Sequence, residues 1–342
     1  MGLETTDRRL NLAYTPNDVA TYTRDTIRSR QELGQLGLDT GIASVDQWLT
    51  PLLPAELAII MARPSNYKSG FMQAWARNIV EQIYARQQDN PDASPREVVF
   101  FCTWEMYVEE LGFYDIANRT NLSAKEMWYG HLSDNDLRQV DAAAMVRAGT
   151  PIWLIGHSLH RRKEYDRVTL TTVRDTMLAV EETWGVRPAI IFLDYLQAID
   201  AERGEDRRLQ VMYNVDRAKD LGREMGCPVV LACQAGRDVD RREFRLPELG
   251  DGQETSRIEQ AADKFLALWM PKTSYAEGHH LEEIGLQVTS DMLIVGLRKQ
   301  RMGISGQMAF LSVNPVTNTI LPYSDREKHH VPASDSLRQS RA

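Results

Sequence analysis

The stretch ELAIIMARPSNYKSG runs from Glu56 to Gly70. Its apolar run, Leu57 to Met61, reads as a buried strand. Arg63 to Asn66 form a turn rich in breakers. Lys68 and Ser69 then open an amphipathic segment, Phe71 to Arg86, that reads as a helix. Strand, tight loop, Lys-Ser and helix is the geometry of a phosphate-binding loop. Backbone N–H groups and the positive helix end face the anion, the lysine reaches the terminal phosphates, and the hydroxyl holds Mg²⁺. Arg63, Pro64, Ser65, Asn66, Tyr67, Lys68, Ser69 and Gly70 are the residues expected to form that cradle. The pattern G-x-x-x-x-G-K-[ST] is nevertheless not met. Tyr67 stands directly before the lysine, and no residue from Met61 to Asn66 is glycine. If the backbone at that position needs φ > 0, a bulky residue there is strained by roughly 1–2 kcal/mol.

Outward from this stretch, apolar strand candidates alternate with helical segments. Val98–Cys102, Ile152–Ile155, Ala189–Leu193 and Val229–Cys233 read as strands. Between them lie helical stretches at Val108–Arg119, Ala124–Tyr129, Ser133–Arg147, Val168–Trp184 and Leu209–Met225. The alternation predicts an α/β fold, a mainly parallel twisted sheet flanked by helices. After about residue 264 the pattern changes. Phe265–Trp269, Leu293–Leu297, Met308–Val313 and Thr319–Leu321 read as strands with short connections, which predicts antiparallel C-terminal edge strands. Lys272–Val288 is polar and reads as a loop or hairpin insertion. Before the first strand, Val45–Leu49 reads as a short helix. Asn17 or Asp18 is the expected cap of a longer one, reaching Leu33, with a narrow apolar stripe of Val19, Tyr22, Thr26 and Ile27. Such a helix is marginal alone and needs a surface to dock on. The expected organisation is an arm and docking helix over 1–34, one large domain over 35–323, and a disordered charged tail over 324–342.

The bulk numbers narrow the functional class. With 342 residues and 43% hydrophobic content, the chain can bury a large core. Its 40 basic and 48 acidic side chains give a net charge of −8, which excludes a uniformly basic nucleic-acid binder but not a local basic groove. Three cysteines without C-x-x-C spacing, Cys102, Cys227 and Cys233, argue against a disulfide framework or zinc site. No apolar run approaches the ~20 residues that span a bilayer, and MGLETTDRRL has no signal-peptide core. A cytoplasmic protein, or a viral one in its host's cytoplasm, is expected, without a membrane partner.

Other stretches bear on chemistry. Ile190-Ile191-Phe192-Leu193-Asp194 places a carboxylate at the C-terminal edge of a buried strand, where ligands collect in open α/β sheets. There Asp194 can hold Mg²⁺ opposite the phosphate loop. Glu105 follows another buried strand and is a candidate general base. Gln234 follows a third, where an amide can sense a γ-phosphate. From Ala235 to Gln260 the chain is polar and carries Arg237, Arg241, Arg242, Arg245 and Arg257, a candidate contact for a nucleic-acid backbone. Lys299 and Arg301 end a strand ahead of Gly303, where cations can reach an anion on another subunit. Taken singly, each also fits a structural role: a capping Asp, a solvated Glu, a mixed-charge loop, a charged turn. The pairs His279-His280 and His329-His330 lack further ligand spacing and read as surface residues.

Taken together and in order, these stretches resemble the ATPase domain of DnaB-type replicative helicases, a RecA-like P-loop fold. The resemblance rests on Thr40-Gly41, Ala62-Arg63-Pro64-Ser65 through Lys68-Ser69, Trp104-Glu105-Met106, and above all Leu193-Asp194-Tyr195-Leu196-Gln197. Gln234 with Arg237, Glu254, Ile258-Glu259-Gln260, Ala262-Asp263 and Lys299-Gln300-Arg301 complete it. It covers roughly residues 35–322. The resemblance implies a homo-oligomeric, hexameric ring that binds ATP and Mg²⁺ between subunits and travels on single-stranded DNA. It implies Lys68 and Ser69 at the phosphates and metal, Asp194 at the metal, Glu105 at the water and Gln234 as the link to DNA. Lys299 and Arg301 would reach a neighbour's nucleotide. Gln253, Glu254, Ser256 and Arg257 would line the DNA channel, and helix 17–33 would be the linker helix. A primase or loader is a further implied partner. Three departures stand out. About 16 residues precede the linker helix, so the family's large N-terminal domain is expected to be absent. Gln253 stands where the family usually has Arg, with Arg257 close by. Tyr67 replaces a glycine. The main expectation is an ATP-dependent DNA helicase. The alternatives are an ATP-binding, DNA-binding scaffold ring that hydrolyses slowly, and a RecA-like recombination ATPase.

Overall fold

The computed structural model describes residues 13–33, 37–92, 94–161, 167–202, 206–252 and 256–324. The tail expected from residue 324 thus lies outside the described residues but for its first. The chain separates into two compact units between Leu38 and Asp39.

The first unit is built on α1 (Pro16–Leu33). Its cap is Thr15, not the expected Asn17 or Asp18. The Thr15 hydroxyl accepts the Asp18 N–H at 3.1 Å, and the Asp18 carboxylate accepts the Thr15 N–H at 2.9 Å. This reciprocal box satisfies two orphan donors. Pro16 sits at the first helical position, where its missing N–H costs nothing. Val19, Tyr22 and Ile27 of its apolar stripe are exposed.

The second unit is organised by one sheet. Its strands are β1 (Leu57–Ala62), β2 (Arg96–Thr103), β3 (Ile152–Ile155), β4 (Val186–Asp194), β5 (Val229–Gln234) and β6 (Lys264–Trp269). A two-stranded ribbon, β7 (His280–Leu281) with β8 (Leu286–Gln287), lies within the expected hairpin insertion. β9 (Met292–Gln300), β10 (Met308–Asn314) and β11 (Thr319–Pro322) complete the set. The nine-stranded order is β11-β10-β9-β6-β1-β5-β4-β2-β3. From β6 to β3 every pair is parallel, and β9, β10 and β11 add antiparallel.

The helices are α2 (Ala43–Asp46), α3 (Lys68–Asp89), α4 (Val108–Thr120), α5 (Ala124–Trp128), α6 (Asp134–Ala148), α7 (Leu170–Trp184), α8 (Arg207–Met225) and α9 (Arg257–Ala261). The short helix expected over 45–49 thus starts earlier, because Thr40 hydrogen-bonds Asp46 and closes the turn around Ile42.

Strand periodicity assigns the faces. Leu57, Ile59, Met61, Ile191 and Leu193 pack against Val173 and Met177 of α7 and Val215 and Leu221 of α8. Phe192 points the other way, where Trp75 of α3 meets it edge-on at 5.9 Å and Phe101 stacks on it at 5.7 Å. Every residue of β1 is buried, as in a parallel strand covered on both faces. At about 1.5–3 kcal/mol per buried large apolar side chain, this central strand anchors the loops at its ends.

Candidate active site

Parallel registry brings four strand ends to one edge. Ala62 is level with Gln234, and Thr103 is level with Asp194. The phosphate loop, Glu105, Asp194 and Gln234 therefore converge without any help from loop sequence. They line one cavity of 710 Å³, together with Tyr114, Pro315 and Asn318.

The charges there are tightly interdependent. Asp194 is 3% exposed, and burial pushes its carboxyl up to about 6, against the opposing pull of a Ser69 hydrogen bond and the Lys68 charge. Burial likewise lowers the Lys68 ammonium, with Asp194 the largest opposing charge. Lys68 Nζ donates to the carbonyls of Ala62 and Arg63, at 3.4 and 3.3 Å. Glu105 is exposed on the cavity wall. The Ser69 hydroxyl and the Asp194 carboxylate line the same cavity, an all-oxygen pair at a helix start. Mg²⁺ takes one or two carboxylates with phosphate and water oxygens, so this pair fits it.

The loop itself is held by distant partners. Arg63 donates to the Ala235 carbonyl at 2.9 Å and forks onto Asp240 at 3.1 and 2.9 Å. Asn66 is buried, and its Oδ1 accepts the Met270 N–H at 2.8 Å. Pro64 and Ser65 are exposed, and Ser65 has φ +62°. Tyr67 has φ +63° and ψ +24°, the left-handed backbone a glycine would take. Its hydroxyl donates to Asn318 Oδ1 at 2.7 Å. Gln197 clamps the end of β5: its Oε1 accepts the Gln234 N–H at 3.0 Å and its Nε2 donates to the Gln234 carbonyl at 3.3 Å. Asp240, Asn318 and the clamping role of Gln197 escape sequence reading. Their partners lie 177, 251 and 37 residues away, and no local pattern marks them.

Lys299 and Arg301 lie elsewhere. β9 runs antiparallel to β6, which sets Gln300 beside Lys264 at the start of that strand. The two cations are thus on the opposite edge from Lys68, separated from it by the length of β1. Arg301 Nε pairs with Asp263 at 2.8 Å, and Lys299 Nζ donates to the Glu259 carbonyl at 2.7 Å.

The candidate DNA residues are also divided. Arg237 and Arg241 are exposed on a one-turn helix that follows β5, beside the phosphate loop. Arg241 pairs with Asp238 at 3.3 Å, and Arg242 is bound to Asp251. Ser256 and Arg257 begin α9, which leads toward the other edge, and Arg257 pairs with Asp216 at 2.7 Å. Gln253 and Glu254 lie outside the described residues, as do His329 and His330.

The model of the DnaB-like helicase C terminal domain matches residues 37–318. The chain belongs to the DnaB-like helicase family. The DnaB-like chain is 24% identical over 317 residues to the replicative DNA helicase DnaB of Mycoplasma genitalium, covering 91% of this chain and 62% of that protein. It is 24% identical over 279 residues to the corresponding helicase of Geobacillus stearothermophilus, covering 80% and 55%. The DnaB-like chain therefore spans between about half and three-fifths of the length of these two relatives. In fold it is similar to a solved ATPase domain, with a TM-score of 0.71 at 19% identity over 90% of this chain and 98% of that one. It is also similar to a DnaB-like replicative helicase whose structure was solved with attention to its interactions with primase, with a TM-score of 0.70 at 19% identity, covering 90% and 67%. The fold is thus RecA-like, a mostly parallel sheet with an antiparallel edge. Among the described residues of this DnaB-like chain, no helix is long and apolar enough to cross a membrane.

Proposed function

We propose that this chain is the ATP-driven motor of a DNA helicase, working with Mg²⁺ as a six-membered ring on single-stranded DNA during replication. The observation that carries the proposal is the convergence of Lys68, Ser69, Glu105, Asp194 and Gln234 on one cavity in a member of this family. The loop N–H groups from Ser65 to Ser69 and the positive end of the 22-residue α3 receive the phosphates. Lys68 exchanges its two weak carbonyl contacts for the γ-phosphate. Ser69 and Asp194 would hold Mg²⁺, which would supply positive charge against the phosphate oxygens. Glu105 orients the attacking water and takes its proton. Gln234 senses the γ-phosphate from a strand end that Gln197 keeps fixed.

Lys299 and Arg301 face away from their own subunit's cavity, and this supports their action on a neighbour's nucleotide in a ring. Arg237, Arg241, Arg242, Gln253, Glu254, Ser256 and Arg257 are proposed to contact DNA, the arginines through its phosphates. The α1 stripe is the proposed docking surface between subunits, over a linker that ends near residue 34. A primase or loader is the proposed replication partner, and the cytoplasm of a cell or of a virus's host the proposed setting.

The test is steady-state ATPase activity with and without single-stranded DNA. Turnover stimulated by DNA is expected, and Lys68→Ala is expected to lower it by at least about 100-fold. Absence of turnover under both conditions would overturn the motor reading. Persistent nucleotide and DNA binding in that case would establish the scaffold reading, for which the tyrosine at position 67 is the motive.

A further inference from the structure

Tyr67 is bound on several sides at once. A side chain in the left-handed region carries a penalty that glycine avoids, so other contacts must hold it there. The first is its ring, which lies over Gly70. A Cβ on Gly70 would meet the ring at 2.6 Å, so only glycine leaves room for it. The second is the hydroxyl, which donates to Asn318 Oδ1 at 2.7 Å. Burial pushes the Tyr67 phenol up in pKa, so this hydroxyl stays a donor throughout the neutral range.

Asn318 is itself immobilised. It is 2% exposed and lies in the turn between β10 and β11. Its Nδ2 donates to Gln73 Oε1 at 2.8 Å, and its carbonyl accepts from Arg77 at 2.6 Å and Asn118 at 3.1 Å. Gln73 and Arg77 are about one and a half and two and a half turns into α3, the helix whose N-cap position is Tyr67. One asparagine therefore grips the start of α3 at three levels. Tyr67, Asn318 and Pro315 line the same cavity as Lys68.

We propose that the Tyr67–Asn318 contact is a latch that keeps the phosphate loop in its anion-ready shape and ties it to the β10–β11 turn. Tyr67 is then a positioning residue for the nucleotide. A glycine loop reaches this backbone through conformational freedom and loses that freedom on binding. Here a side-chain hydrogen bond and a packed ring impose the shape in advance, which lowers the ordering cost of binding. The inference rests on the nucleotide reading of the cavity and deepens it.

The experiment measures equilibrium binding of ADP and of a non-hydrolysable ATP analogue to the full chain, alongside melting without nucleotide. Tyr67→Phe keeps the ring and removes the hydroxyl, and Kd for both nucleotides is expected to rise about three- to tenfold. Asn318→Ala is expected to act in the same direction. Tyr67→Gly loses ring and bond together, and its Kd should rise at least as far as that of Tyr67→Phe. A purely structural contact would lower the melting temperature and leave Kd of the folded protein unchanged. Wild-type Kd in folded Tyr67→Phe and Asn318→Ala would overturn the latch, as would tighter binding by Tyr67→Gly, which would make the tyrosine an obstruction. Failure of the wild-type chain to bind either nucleotide would overturn the nucleotide reading, and the latch with it.

Discussion

At one edge of the sheet, where β1, β4 and β5 end, Lys68 and Asp194 lie close enough to shift each other's ionisation. At the other, where β6 begins, Arg301 is paired with Asp263 and Lys299 is bonded to the Glu259 carbonyl. The first edge gathers an acid, a base, a hydroxyl and an amide around one cavity. The second holds cations by groups of their own subunit, while Arg301 remains 61% exposed. On the proposed reading, Lys299 and Arg301 at the second edge would add further cations to the first edge of a neighbouring subunit. A heterologous ring would join the two edges, and that is the physical sense in which the assembly would be part of the active site.

The largest effect that can break this comparison comes from mixing variants. Glu105→Gln is expected to lower ATP turnover by about 10²–10⁴-fold, and Arg301→Ala by about 10³-fold. If the two residues serve the same nucleotide from different subunits, mixing the two inactive proteins creates some interfaces with both groups intact. Turnover of the mixture should exceed that of either variant alone. No recovery in rings shown to exchange subunits would remove Arg301 from the chemistry.

A smaller effect isolates the first edge. The carboxyl of Asp194 is raised from 3.8 to about 6 in the folded chain. The folded state therefore holds its proton to higher pH than the unfolded state, and stability falls as pH rises from about 4 to about 6. In metal-free, nucleotide-free protein, Asp194→Asn removes that loss. It should be more stable than the wild type at pH 7 by up to about 3 kcal/mol, with the difference vanishing near pH 4. Denaturant unfolding at the two pH values checks this. An Asn variant less stable at pH 7 would show that Lys68 and Ser69 outweigh the desolvation of the carboxylate. The smallest effect concerns the link from the phosphate loop to the arginine turn. Asp240→Ala releases Arg63 from a partly exposed ion pair, and a rise in KM for ATP of about two- to fivefold is expected from steady-state kinetics.

The strands were legible because their apolar runs are short, continuous and bounded by breakers. Ile152–Ile155 was read to the residue, and the change of rhythm after residue 264 marked the antiparallel edge, but Phe265–Trp269, expected within that edge, pairs parallel with β1 and only β9, β10 and β11 run antiparallel. The start of α1 was misread by two or three residues, although the signal was present. Thr15 ahead of Pro16, with Asp18 three positions on, is a capping box around a first-turn proline. The cluster of Lys68, Glu105, Asp194 and Gln234 was legible for a structural reason: Asp194 and Gln234 end buried parallel strands, Glu105 follows one, and Lys68 opens the helix after another. Parallel strands end on a common edge, so residues at their C-terminal ends meet whatever the loops contain.

What the chain alone determined is therefore local. Apolar runs made strands, periodic faces made helices, and Lys-Ser after a strand and turn opened α3 at the cavity. Tertiary structure decided which residues face each other across long gaps in sequence. Asn318 reaches Tyr67 because the last hairpin packs beside α3, and Asp240 reaches Arg63 because β5 lies next to β1. The reversal of β9 carries Lys299 and Arg301 to the far edge. Backbone propensities act over a few residues, whereas hydrogen bonds between side chains 177 or 251 positions apart exist only once the sheet order is set. The tyrosine before Lys68 shows the limit of pattern reading: as sequence it is a missing glycine, and in the fold it is held in a glycine's conformation by a partner that no motif contains.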